Sequence, residues 1–135
     1  MIIEVKDKDL LVARIIRQQD WEPGLKFYSD PTDFLQAATW NYERGKHLKA
    51  HGHNICERTS NRTHEVLFVK RGKVKATFFG EDDALLKEIE LTAGDIAVIQ
   101  NGGHSYDVLE DGTQVLEIKN GPYPGIEKDK KVIEQ

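Results

Sequence analysis

From residue 64 onward, apolar residues recur at alternate positions in short runs, and glycine or aspartate interrupts those runs about every ten residues. "EVLFVKRGKVKATFFG" carries β-branched and aromatic residues on both sides of "KRGK", where Gly72 suits a tight turn, and predicts a hairpin at 65–79. "GEDDA" is turn chemistry, and "LKEIEL" at 86–91 alternates again. "TAGD" leads into the apolar run "IAVIQ", "NGG" breaks the chain before "HSYDVLE", and "DGT" separates that from "QVLEIKN". Short strands at this spacing predict an all-β domain: a sandwich, jelly roll or barrel.

The first forty residues carry a weaker pattern. "MIIEVKDKDL" alternates apolar and charged residues; it lacks the continuous apolar stretch of a signal peptide or membrane span and reads as a strand. "SDPTDFLQAAT" could open a helix with Asp30 as N-cap and Pro31 at the first helical position. Trp40 and Tyr42 suit a sheet, however, and no apolar face continues at helical period, so a turn leading into a strand "FLQAATWNYE" is the preferred reading. The charged "EKDKKVIEQ" at 127–135 reads as a loosely held tail.

The 135 residues fit one domain, 1–135, with its core at about 40–123. A domain of that size buries roughly two thirds of its unfolded surface without disulfides. Cys56 is the one cysteine, which excludes an intramolecular bridge and predicts a reducing, cytoplasmic setting. The net charge of -4, with 19 basic residues mixed among 23 acidic ones, argues against a nucleic-acid partner. The lack of a continuous apolar stretch predicts no membrane association, and the apolar edge strand "MIIEV" predicts a homodimer.

Chemistry concentrates in "GKHLKAHGHN", which holds His47, His51 and His53 of the chain's five histidines. On a strand, His51 and His53 share one side because side chains alternate with period two, and two such imidazoles can hold one ion. His47 follows a bend at Gly45 and stays outside that pair. His64 precedes Glu65 and faces the other way, which makes it an exterior histidine. Glu65 sits among Val66, Leu67 and Val69, where a buried carboxylate needs a cation beside it. Tyr106 shares parity with His104 and is a candidate substrate contact or proton donor. Leu116 and Ile118 are expected to point inward, and Glu117 and Lys119 outward. Cys56, beside a charged loop, reads as a small packing residue.

Gly45, five residues, then His51 and His53, followed by Glu65, six residues and Gly72, resembles the first motif of the cupin superfamily. Gly94, "DIAVI" and "QNGGH" ending in His104 resemble the second, with Gln100 where the family has proline. The resemblance covers about residues 40–123, with a longer interval between His53 and Glu65 than the family carries, and is closest in kind to small, single-domain cupins. It implies a double-stranded β-helix with His51, His53, Glu65 and His104 as metal ligands. Three imidazoles and one carboxylate suit a divalent ion of the Fe, Mn, Ni or Zn group.

The expected function is a metal-dependent enzyme, an isomerase or oxygenase, acting on a polar small molecule such as a carbohydrate or a keto or hydroxy acid, with Tyr106 moving a proton. Two alternatives stand beside it. One is a metal-free sugar-nucleotide ketoisomerase or epimerase of the cupin type. The other is a non-catalytic ligand-binding or sensor domain.

Overall fold

The computed structural model describes residues 1–135 and is all-β, with antiparallel pairing throughout. Ten strands form in chain order: β1 (Ile3–Asp7), β2 (Leu10–Ile16), β3 (Gly24–Phe27), β4 (Ala38–Asn41), β5 (Glu65–Arg71), β6 (Lys73–Phe79), β7 (Leu85–Thr92), β8 (Ile96–Ile99), β9 (Gly103–Val108) and β10 (Gln114–Lys119). A single helical turn, α1, follows at Ile126–Asp129. No helix is long and apolar enough to cross a membrane.

The strands make a five-stranded sheet, β1-β2-β8-β5-β10, a three-stranded sheet, β7-β6-β9, and the small pair β3-β4. Side chains from the two larger sheets meet in one core: Val12, Ile15, Leu67, Val69, Ala97 and Ile99 from the first, Ala76, Phe78, Ile89 and Leu91 from the second. This is the two-layer solution for sheets that each have one apolar face. The opposite face of the five-stranded sheet is covered where Ile16, Val98 and Tyr28 pack with Leu35 and Ala37. Arg14 pins that cover: its buried guanidinium reaches Glu4, Asp30 and Asp33.

The predicted hairpin at 65–79 is corrected. β5 and β6 do not pair, because Gly72 alone joins them and a single residue cannot fold two strands back on each other. Gly72 instead takes φ +89°, and the chain passes from one sheet to the other. A Cβ at that position would collide with Thr113. The paired hairpin is β6-β7, turning through "GEDDA". Residues 30–36 form turns and not a helix, and the strand that follows is the shorter β4. β1 is an edge strand, as its sequence predicts.

Residues 42–64 form a long coil without helix or strand. Gln100 shows why no proline is needed at its position: its backbone N–H donates to Val12 O at 2.8 Å, and its side-chain amide exchanges hydrogen bonds with the backbone of Leu35. A proline would lose all three.

Candidate functional site

The site lies between β5 and β10 of the five-stranded sheet and β9 of the three-stranded sheet. β5 turns Glu65, Leu67 and Val69 to the interior, so the carboxylate of Glu65 is buried in line with two core aliphatics. β9 sets His104 opposite Phe78 and Tyr106 opposite Ala76, both core residues of β6. β10 pairs with β5 so that Lys119 stands across from Glu65 and Glu117 across from Leu67. Three strands thus aim five polar side chains into one cavity of about 730 Å³, a volume suited to a small molecule.

The closest contact is between His104 Nε2 and Glu65 Oε2, at 2.6 Å. The imidazole donates there, so its Nδ1 carries the free lone pair when the ring is neutral. Nδ1 is buried and has no hydrogen-bond partner, and the same holds for the Tyr106 hydroxyl and Glu65 Oε1. The His104 and Tyr106 rings are 5.1 Å apart, centroid to centroid. Lys119 Nζ lies 3.7 Å from Glu65 Oε1 and 3.6 Å from Glu117 Oε1.

These neighbours set the protonation states. Burial alone would raise Glu65, but hydrogen bonds from His104 and Glu117, with the charges of His104 and Lys119, bring it down to about 2. Glu117 moves the other way: its hydrogen bond to Glu65 holds its proton, and burial and the Glu65 charge add to the effect. Burial opposes the charge on Lys119, yet the carboxylates of Glu65, Glu117 and Asp129 outweigh it and raise Lys119. Tyr106 is raised by burial first and by the two glutamates second, so it remains a phenol and a donor. The site therefore combines an ionised carboxylate, a second carboxyl group with a raised proton affinity, an oriented imidazole and a phenol.

Of the residues the sequence singled out, Glu65, His104 and Tyr106 come together, and His51 and His53 lie apart from them. Both coil histidines are exposed, with rings 5.2 Å from each other. The hydrogen bond that His51 makes is local, to Lys49 O, and neither histidine lines the cavity. Glu65 and His104 are donors of the kind a transition metal takes, and each keeps a buried atom without a partner. No group of three or more His, Cys, Asp or Glu stands in metal-binding geometry in this arrangement.

Two expectations are corrected at this end of the fold. Leu116 and Ile118 point outward and are each 54 % exposed, whereas Glu117 and Lys119 face the cavity. The apolar cover over the other face of the sheet does not reach β10, and the buried Glu65 needs a cation on the inner side. His64 is buried rather than exterior. It does face away from Glu65, but Phe34 stacks on its ring there at 5.6 Å, Nδ1 donates to Gln100 O at 2.7 Å, and Nε2 meets Ser60 Oγ at 2.8 Å.

Comparison with protein-family models, with curated proteins and with solved structures finds no match. The chemistry of the cavity has to be read from its own residues.

The turn before His104 follows the sequence. Gly102 takes φ +74°, and a Cβ there would strike Phe79 O, so "NGG" gives the bend that delivers His104 to the site. The sequence reading missed Lys119, Glu117 and Asp129. The first two were legible only from strand parity, which the apolar pair Leu116 and Ile118 pointed the wrong way.

Proposed function

We propose that this chain is a small cupin-like enzyme that moves a proton on a polar, carbonyl-bearing small molecule, such as an aldose, ketose or keto acid. The observation that carries the reading is the oriented His104–Glu65 pair with Tyr106 beside it: the three residues line one cavity, and the second imidazole nitrogen and the phenol oxygen have no hydrogen-bond partner. A base oriented by a buried carboxylate, next to a donor that stays protonated, is the pairing that acid–base catalysis needs.

The step begins with substrate carbonyl oxygen accepting a hydrogen bond from Tyr106. His104 Nδ1 takes the proton from the adjacent carbon, and that C–H electron pair forms a carbon–carbon double bond as the carbonyl electrons move onto oxygen. Glu65 stabilises the imidazolium that results. Tyr106 protonates the former carbonyl oxygen and takes up the proton of the neighbouring hydroxyl as that carbon becomes the new carbonyl, and His104 returns its proton to the former carbonyl carbon, which completes an isomerisation with atoms and charge balanced. Lys119 and the buried Glu65 hold the pair in register.

Support for the double-stranded β-helix comes from the path of the chain. It crosses between the two larger sheets at β5-β6, β7-β8, β8-β9 and β9-β10, as a jelly-roll winding requires. The edge strand β1 favours a homodimer, for which light scattering at micromolar concentration should give twice the 15.4 kDa chain mass.

A second reading keeps the metal. The unpartnered Glu65 Oε1 favours it, with Glu65 and His104 as the ligands at hand and His51 and His53 on the coil as the further pair. A divalent Fe, Mn, Ni or Zn ion would polarise a substrate oxygen there. Metal analysis of untagged protein tests it: bound metal near one equivalent supports this reading, and less than about a tenth of an equivalent removes it.

The acid–base reading is tested in D2O with a panel of sugar phosphates and keto acids, following carbon-bound deuterium by NMR. Exchange in the native protein that falls at least about a hundredfold in His104→Gln is expected. Exchange that persists in the variant, or is absent across the panel, refutes it.

A further inference from the structure

The C-terminal segment does not behave as the free tail its charges suggest. Residues 128–133 line the same cavity as Glu65 and His104, and Ile133 packs against Gly103 so closely that a Cβ there would meet its methyl group. Lys131 reaches Asp83 at 3.1 Å across the rim. Asp129, at the end of α1, is the residue that enters: only 8 % of its side chain is exposed. Its carboxylate accepts a hydrogen bond from Thr63 Oγ1 at 3.1 Å and lies 4.0 Å from Lys119 Nζ.

A carboxylate whose side chain is mostly covered, inserted from a short, weakly packed segment, is unusual, because desolvating it is costly unless the site offers a cation and a donor. Here Lys119 and Thr63 offer both. They stand on different parts of the chain, on β10 and at the end of the coil before β5, and they converge on Asp129 from outside its own segment. The segment itself holds few anchors. α1 is one turn of four residues with none buried, and the Lys131–Asp83 pair is solvent-exposed and worth little.

We infer that Asp129 stands in for the carboxylate of a substrate: Lys119 and Thr63 form a subsite for a small carboxylic acid, and the C-terminal segment closes that subsite until such a ligand displaces it. The inference rests on the reading of this cavity as a substrate site and narrows its substrates to carboxylate-bearing molecules, with keto acids favoured over neutral sugars. Glu65 already balances one positive charge at the site, so the anion that Lys119 accepts from Asp129 can be exchanged for one from solution without changing the local charge. His104, whose Glu65 partner is itself in contact with Lys119, is then within the same cavity as the bound acid.

The test measures binding of pyruvate, with methyl pyruvate as the uncharged control, to the full chain by titration calorimetry and by amide NMR shifts at Thr63, Gly103 and Ile133. Competition by Asp129 lowers the apparent affinity, so Asp129→Asn, which removes the competing charge, should tighten pyruvate binding by about fivefold or more. Asp129→Glu, which keeps the charge, should not. Methyl pyruvate should bind more weakly than pyruvate to every form. Equal binding of pyruvate and its methyl ester, no pyruvate binding to Asp129→Asn at millimolar concentration, or unchanged affinity in Asp129→Asn with a native amide spectrum would each overturn the inference. Binding is read without turnover, so a tightened Asp129→Asn that exchanges no deuterium would leave this subsite standing and remove the acid–base reading. The reverse pattern, exchange without tightening, would remove only the subsite.

Discussion

His104 Nε2 and Glu65 Oε2 stand 2.6 Å apart, on β9 of one sheet and β5 of the other. One contact thus ties the two sheets together and also orients the base, so the stability of the fold and the state of the site are coupled through Glu65.

The pH dependence follows from that coupling. Glu65 is held near 2 in the fold against an ordinary value of 4.5. The stability it contributes is complete above pH 4.5 and is lost as the pH falls from 4.5 toward 2. Glu117 is raised, so its contribution has the opposite sign: it is present below the ordinary carboxylate value and is lost as the pH rises. The Glu65 shift is the larger of the two, so net stability should fall on acidification, by less than Glu65 alone would give. Urea midpoints measured across this range should show that Glu65→Gln flattens the slope; an unchanged slope would mean that Glu65 is not the titrating anchor.

Gly102 and Gly112 separate backbone strain from collision. Both take positive φ, +74° and +76°, but a Cβ at Gly112 would meet nothing within 4 Å, whereas one at Gly102 would strike Phe79 O. Gly112→Ala should cost about 1 kcal/mol, the left-handed penalty alone, and Gly102→Ala at least about 1 kcal/mol more. Thermal melts of the two variants check the difference, and equal costs would contradict the close approach at the turn before His104.

Much of the fold was legible because strands and turns alternate openly from residue 64 on. Glu65, His104 and Tyr106 share a cavity for the reason that strand parity gives. The remainder depended on non-local facts. Whether β5 pairs with β6 or with β8 and β10 is a choice between sheets, and alternation within one strand carries no information about it. Lys119 and Glu117 turn inward because they stand across from the buried Glu65 and Leu67 in the β5-β10 register, while the apolar side of β10 is left uncovered. His64 is buried because Phe34, from a segment thirty residues earlier, folds over it.

The histidines offer a contrast in burial. His64→Ala removes the partners of Gln100 O and Ser60 Oγ and leaves a hole beside Phe34; a cost of about 2–4 kcal/mol is expected. His51→Ala and His53→Ala, on the exposed coil, should each change stability by less than about 0.5 kcal/mol with a chelator present. Denaturation of the three variants decides this. A large loss in either coil variant under chelation would mean that residues 42–64 pack in a way the exposed coil does not describe.

The central claim is that Glu65 fixes His104 with its proton on Nε2 and its lone pair on Nδ1. Nitrogen-15 NMR of the His104 imidazole, in a long-range proton–nitrogen experiment on neutral protein, reads the tautomer directly. The account predicts the Nε2–H form in the native protein and a mixture of tautomers in Glu65→Gln. A native His104 with its proton on Nδ1, or a tautomer ratio unmoved by Glu65→Gln, would contradict it.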